Sequence, residues 1–565
     1  MKILIEGHPY SRKDVFNICG DFEDVKDDKI KVSKVGYFYN PAIDDCVLCL
    51  PKVIKDHIKG TKEGEDTQDQ NSTYLGGLRA EDIIDTDSSE CKLSNDHKTF
   101  VQNFSLWTYR TISTFSRLNP GSKIVDKRTS TSFSEDDNDK QGTFLDVVCE
   151  IIEFYNRNKE YFMYVIRNIH SGYERVHWRK TIAKKTPIIQ NGQPFYVDVI
   201  NRKKLINFDE ELMVIFYSIL HYISNFLGQS IQMECNYELI TGGRFETYLE
   251  GLGERRLDAI KHNYFSDKDV RLWKLCKAFF EKSSKIKASD NAEDYLFVGS
   301  FHKVFESMID ALIGEDKYQH MKVMDDGKII DHIFKYKSPI DGQEVFYIGD
   351  SKYYAIGSQL DETSIYKQFT YAKNIIQYHF KGEFQKKFIR DDVTEGYNFI
   401  PNFFISAYVP SITNFESEEL KQKDLDDLGI ESKYRSFHFE NRLFDRDTLY
   451  LTHFDINLLF VMMLYAQDDN IEQTAFCDRF KKKIFESVND ILDTKYNFYL
   501  PDQLDSKFIE ENFKRLNGKV YPINHKKILL ALDKSSDQTV ADEAWLKLSP
   551  KNRLKLSDIQ QQYHI

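Results

Sequence analysis

The chain is poor in the residues that punctuate structure, with 12 Pro and 26 Gly in 565 residues. That scarcity excludes a collagen-like or loop-dominated protein. No G-x-x-x-x-G-K-S/T stretch occurs, so the chain does not hydrolyse NTPs through a P-loop of its own. H-E-x-x-H and G-x-S-x-G are missing as well, which removes the zinc-protease helix and the nucleophile elbow. The eight Cys are scattered at 19, 46, 49, 91, 149, 235, 276 and 477. Cys46-Val-Leu-Cys49 lies in an apolar run and has no second pair, so it reads as ordinary thiols and not as a zinc ribbon. Dispersed thiols suit a reducing compartment, and a cytoplasmic location is expected. The N-terminus, MKILIEGHPYSRKD, lacks the apolar region of a signal peptide. The longest apolar helix candidate, INLLFVMMLYA at 456–466, is too short to span a bilayer, so no membrane partner is expected. Positive charge is in deficit too: the formal net charge of −12 excludes nucleic-acid binding through a broad basic surface. Only local basic patches remain, HWRKTIAKK (177–185) and NRKK (201–204).

Core-forming material is abundant. Apolar residues make up 41% and aromatics 14%, with 33 Tyr and 42 Phe, so the chain is no disordered protein. Its length suggests two to four units. Residues 1–130 read as a β-rich N-terminal domain, in which KVGYFYNP and VLCLPKVI form a hairpin. The polar stretches 60–73 and 126–142 read as loops, the second a domain boundary. Residues 140–290 read as a helical middle domain, with amphipathic helices over 144–158, 209–227 and 268–282 and a linker candidate over 282–294. Residues 291–500 change texture, and 501–565 form a C-terminal extension. The fold class expected for the whole is α+β.

In the third segment, SFHKVFESMIDALIG (300–314) predicts a helix that faces inward with Phe301, Val304, Phe305, Met308 and Leu312 and stops at Gly314. QHMKVM, KIIDHIFKYK and EVFYIGDSKYY read as three strands, the last two flanking the Asp-Gly turn signal of SPIDGQ. A helix over 361–380 and a buried strand over 397–410 follow, giving the order αβββαβ.

That order makes a particular chemistry possible. Asp331 lies in the second strand and Asp350 and Lys352 at the end of the third, so the hairpin can bring the two acids together. Paired carboxylates repel unless they share a cation. Mg²⁺ accepts one or two carboxylates and keeps several waters. Asp350 and Lys352, two apart on a strand, point to one face, where the ammonium can orient an attacking water or offset charge on a phosphate. Glu306, on the preceding helix, can reach the same cluster. Asp-Ser-Lys recurs at 505–507 without such surroundings, so the tripeptide alone means nothing. An ordinary surface ion pair is the competing reading of Asp350 and Lys352.

Helix with Glu, strand with Asp, hairpin, strand with D-x-K and then helix resembles the PD-(D/E)XK nuclease core. YLFVGSFHKVFESMI and SIYKQFTYAK resemble McrC-type subunits. RVHWRKTI, VGYFYNP…LPKVI and FENRLFDRDTLYLTHFDINLLFVMMLYA resemble the LlaJI-type restriction endonucleases. The resemblance implies a Mg²⁺-dependent DNA endonuclease subunit of an antiviral restriction system, working with an AAA+ McrB-like NTPase subunit. It assigns 291–500 to the nuclease domain, Glu306, Asp331 and Asp350 to the metal, and Lys352 to the attacking water. Gln368 and Tyr371 fall on the helix that follows, where related nucleases carry supporting residues. Two departures stand out: Ile330, not Pro, precedes Asp331, and the acid of D-x-K is Asp. Trp178-Arg179-Lys180-Thr181 is read as a phosphate grip, with Arg179 and Lys180 on DNA, or equally as a structural turn. A second function compatible with these residues is a non-catalytic adaptor that binds and stimulates an AAA+ NTPase.

Overall fold

A computed structural model describes the chain outside residues 20–23, 27–28, 44, 56–72, 76, 86–92, 129–142, 160–164, 170–175, 206–210, 228–232, 234, 236, 265, 289–293, 324–326, 328, 341, 343, 355–361, 382–400, 411–419, 424–449, 468–469, 524–526 and 564–565. The expected loop over 60–73 lies outside the described residues except for Thr73, and that over 126–142 except for residues 126–128. Helices and strands mix throughout, as an α+β chain requires.

In the N-terminal part, β1 (Lys2–Ile5), β2 (Val35–Asn40) and β3 (Asp45–Leu50) are followed by helix α1 (Asn95–Leu118), β4 (Val125–Arg128) and helix α2 (Phe144–Arg157). Cys46 and Cys49 are buried on β3. An arm follows: β5 (Val165–Ile169), the short helix α3 (Trp178–Lys184), β6 (Ile188–Gln190), β7 (Gln193–Phe195) and β8 (Asn201–Leu205). β5 pairs with β8 and β6 with β7, so the segment expected to be helical also carries two ribbons. Helices α4 (Glu211–Leu227) and α5 (Asp267–Ala288) complete it. α5 runs on through the first part of the expected linker, with Lys282 and Ser283 buried just past Phe279 and Phe280.

Strand β9 (Tyr295–Val298) closes the first sheet, whose order is β1-β3-β2-β9-β4. The join is tight. Gly36 on β2 has φ +146°, and a Cβ there would lie 2.1 Å from the Leu296 carbonyl oxygen on β9, so only glycine fits. β9 leads directly into helix α6 (Phe301–Ile313), which buries Phe301, Val304, Phe305, Met308 and Leu312 as its periodicity predicts.

The second sheet follows α7 (Gln319–Lys322). It is built from β10 (His332–Lys337) and β11 (Glu344–Lys352), then, after helix α8 (Glu362–Lys381), from β12 (Asn402–Tyr408), β13 (Leu420–Lys423) and β14 (Leu451–Asn457), in the order β10-β11-β12-β14-β13. β10 and β11 are antiparallel, while β11, β12 and β14 run parallel. Of residues 319–324, expected as the first of three strands, 319–322 form α7 and Val323 makes a single bridge with Ile329, while Met324 lies outside the described residues. Asp331 sits one residue ahead of β10 and not in the middle of a strand. Both sheets share one apolar core with α1, α6 and helices α9 (Leu458–Ala466) and α10 (Asn470–Lys495). Beyond them β15 (Tyr496–Tyr499), β16 (Val520–Ile523) and β17 (Lys527–Asp533) form a small C-terminal sheet in the order β15-β17-β16. Among the described residues, no helix is long and apolar enough to cross a membrane.

Candidate active site

The hairpin register explains how distant acids meet. His332 pairs with Gly349 and Ile333 with Ile348, so one step further along the ladder Asp331 comes opposite Asp350. Burial of Ile333, Phe334, Phe346, Tyr347 and Ile348 fixes that register, because a slip by one residue would turn this apolar set outward. Asp331 is tied across the pair: its Oδ2 accepts a hydrogen bond of 2.9 Å from the Ser351 backbone N–H. Asp350 and Lys352 are both buried, at 8% and 9% exposure, and their side chains form an ion pair of 2.5 Å between Oδ2 and Nζ. The Lys352 ammonium also stands 5.5 Å from the centre of the Phe404 ring on β12. This is no solvated surface pair; its low exposure makes the charges costly to leave uncompensated.

The electrostatics show the acids crowding one another. Burial, then the charge of Asp350 and that of Glu306, push the Asp331 carboxyl up to about 7, against the opposing pull of His332 and of the Ser351 amide. Burial and the Asp350 charge raise Glu306 as well. Glu306, Asp331 and Asp350 therefore sense each other, with Lys352 as the cation among them. Among the described residues, no group of three or more His, Cys, Asp or Glu side chains is arranged as a ready metal cage. A hard ion such as Mg²⁺ does not need one: two carboxylates and water suffice, and mutual repulsion between the acids is what such an ion relieves. Asp331 and Asp350 fit that requirement, with Glu306 beside them.

Gln368 and Tyr371 lie on α8, which packs against β11. Gln368 is fully buried, and among the described residues neither amide atom has a hydrogen-bond partner. Tyr371 packs into a small apolar cluster with Ile330, Ile333, Phe346 and Ile348. Arg179 and Lys180 are elsewhere, on α3 of the arm, with Arg179 exposed and Lys180 half-buried.

Sequence reasoning missed a second layer behind the acids. The imidazole of His332, fully buried, shares a hydrogen bond of 2.5 Å through Nε2 with the Ser351 hydroxyl, and its Nδ1 lies 3.5 Å from Asp310 Oδ1. Lys322 Nζ pairs with Asp310 at 2.5 Å and donates to the Asp331 carbonyl oxygen at 2.7 Å. Burial alone would raise Asp310; the His332 and Lys322 partners outweigh it and hold the carboxyl down at about 2. It also missed Tyr353, next to Lys352. Its buried hydroxyl donates to Glu6 at 2.5 Å and accepts from the Lys52 backbone N–H at 3.1 Å, fastening the end of β11 to the first sheet. A polar residue inside an apolar strand, as in Ile-Asp-His-Ile, was the available signal for His332; no spacing rule links Glu6 to Tyr353.

A family model described as LlaJI restriction endonuclease matches residues 89–417, more than half of the chain and the whole acid cluster. No curated protein matches. A solved structure from Thermococcus gammatolerans, a half-complex from a tetradecameric assembly of McrB AAA+ hexamers with bound McrC, aligns at 11% identity over 86% of this chain and 99% of that one, with a TM-score of 0.26. A score that low establishes no common fold.

Proposed function

The chain belongs to the LlaJI restriction endonuclease family, and from that premise we propose that it is the DNA-cleaving subunit of an antiviral restriction system, hydrolysing phosphodiester bonds with Mg²⁺ at a PD-(D/E)XK-type centre. The observation that carries this reading is the meeting of Asp331, Asp350 and Glu306 around Lys352 at one strand end. Asp331 and Asp350 would hold the ion, and Glu306 would approach from α6. When bound, Mg²⁺ supplies Lewis-acid polarisation of the phosphate and a more acidic water. The protein's own groups do the rest. Lys352, on the same face as Asp350, orients the water and offsets charge that develops on the phosphate oxygens. The buried setting of Asp350 and Lys352 strengthens those interactions. Gln368 is proposed as a supporting residue whose buried amide has hydrogen-bonding capacity to offer, and Tyr371 as packing that seats α8 beside the strands.

The partner we propose is an AAA+ McrB-like NTPase subunit, since the chain has no P-loop of its own. The arm is suited to docking. Trp178, Ile182, Ile188, Ile189, Phe195 and Val197 are all more than half exposed on it, and such a concentration marks an interaction surface. Residues 176–205 also carry seven Lys or Arg against one acid, Asp198, so Arg179 and Lys180 can add phosphate contacts on a chain that is otherwise acidic.

The test is cleavage by the full chain with its partner and NTP, together with divalent-ion binding by the purified chain. Asp350→Ala and Lys352→Ala should abolish cutting while leaving the fold and NTPase stimulation intact, and Asp350→Ala should also lose the ion. Wild-type cutting by either variant would overturn the site. A wild-type chain that takes up no divalent ion yet stimulates the NTPase would make it the non-catalytic adaptor instead.

A further inference from the structure

We propose that Asp310, Lys322 and His332 are positioning residues, a buried brace that sets the spacing of the acid pair from behind; this rests on reading Glu306, Asp331, Asp350 and Lys352 as the nuclease centre. The contacts close a ring. The Asp331 carbonyl oxygen accepts from Lys322 Nζ at 2.7 Å, and Lys322 pairs with Asp310 at 2.5 Å. Asp310 Oδ1 stands 3.5 Å from His332 Nδ1, and His332 Nε2 shares a 2.5 Å hydrogen bond with Ser351 Oγ. The Ser351 amide then donates to Asp331 Oδ2 at 2.9 Å, returning to the starting residue.

The ring touches every element that carries an acid. Asp310 is four residues beyond Glu306 on α6, hence on the same helix face one turn away. Lys322 holds the Asp331 carbonyl, and His332, the next residue, reaches across to Ser351. Ser351 is the link between Asp350 and Lys352, and on a strand its side chain points to the face opposite theirs. The brace therefore grips β11 from the side away from the reacting groups. Such a restraint has a physical reason. Carboxylates that repel will drift apart when the ion leaves, and an ion site that must be rebuilt at each binding event binds weakly. With the buried imidazole bonded to Ser351 through Nε2 and its Nδ1 3.5 Å from Asp310, rotation of either strand costs a buried polar contact.

The experiment uses the full chain and three variants. Ser351→Ala removes one hydroxyl without opening a large void, His332→Leu removes both imidazole contacts, and His332→Gln keeps an amide nitrogen near the Nε2 position. Mn²⁺ binding by calorimetry, melting temperature and the split of cleavage kinetics into kcat and KM are read for each. Ser351→Ala and His332→Leu are expected to weaken Mn²⁺ binding by about tenfold or more, the size of effect typical of residues that orient metal ligands. kcat should fall with little change in KM, and His332→Gln should recover much of the loss. The brace is refuted if Ser351→Ala keeps wild-type Mn²⁺ affinity and kcat, or if the variants lose only melting temperature. Asp350→Ala separates the two readings: if it loses the ion while Ser351→Ala and His332→Leu do not, the centre stands and the brace fails; if it binds Mn²⁺ as wild type does, the centre itself is wrong.

Discussion

Asp-Ser-Lys occurs at 350–352 and again at 505–507, and the two copies share nothing but their letters. At 350–352 the tripeptide ends a nine-residue strand in the middle of a sheet, and Asp350 and Lys352 are buried on one face, paired with each other. At 505–507 it opens a helix. Asp505 is the N-cap of Ser506–Glu511, its carboxylate accepts from the Phe508 N–H at 2.7 Å, and Asp505 and Lys507 are exposed. The same acid is held in a crowd of other acids in one place and satisfied by orphan backbone donors in the other. What precedes each copy decides the matter: Val345–Ile348 supply a buried strand, whereas Leu504 is followed by polar residues that suit a helix start. The largest contrast follows in activity. Lys352→Ala should lower cleavage by on the order of 10²–10⁴-fold, the range lost when a positioned proton-handling or charge-stabilising group is removed, and Lys507→Ala should leave cleavage at the wild-type rate. Equal losses in the two variants would sink the comparison.

The second contrast is in stability. Asp331 holds its proton up to about 7 in the folded chain, whereas an unfolded Asp releases it near its ordinary value of 3.8. Between those values the folded state binds more protons than the unfolded one, so this group makes the metal-free protein less stable as pH rises, with the full penalty present above about 7. Asp331→Asn removes the penalty. Its melting temperature at pH 8, without divalent ions, should exceed that of the wild type, by the equivalent of at most about 4 kcal/mol, and the gap should close towards pH 4. Mg²⁺ should narrow the gap too, by stabilising only the wild type. A variant that melts below the wild type at pH 8 would show that the Ser351 hydrogen bond, not the repulsion, dominates there.

How much of this was legible beforehand differs by element. Helix α6 and strands β10 and β11 could be read because their apolar residues repeat at helical and strand periods, and the hairpin implied that Asp331 and Asp350 would meet. Periodicity misled at 319–323, where Met321 and Val323 alternate with polar residues. There the chain winds as α7, which places Lys322 between Asp310 and the Asp331 carbonyl, a demand from tertiary contacts that local pattern does not encode. The brace was illegible for the same reason. Asp310, Lys322 and His332 come from a helix, a single helical turn and a strand, and only the packed fold makes them neighbours. Likewise the Tyr353–Glu6 contact spans 347 positions, beyond any motif; it fastens the end of β11 to the N-terminal sheet.

The smallest contrast concerns the second copy alone. Asp505→Ala takes away the acceptor for the Phe508 N–H at a helix of six residues, Ser506–Glu511. Loss of an N-cap acceptor costs about 1 kcal/mol, and the exposed position leaves water to replace part of the bond. Denaturant unfolding should therefore show a small loss confined to the C-terminal sheet region, where Leu504, Tyr499 and Leu516 pack together. Cleavage and Mn²⁺ binding should be unchanged, because the helix cap touches none of the acid cluster's own contacts. Asn at 505 should restore stability, since its side-chain oxygen caps as well as that of Asp, whereas Asp350→Asn should not restore cleavage, since the first copy needs the charge and the second needs only the oxygen.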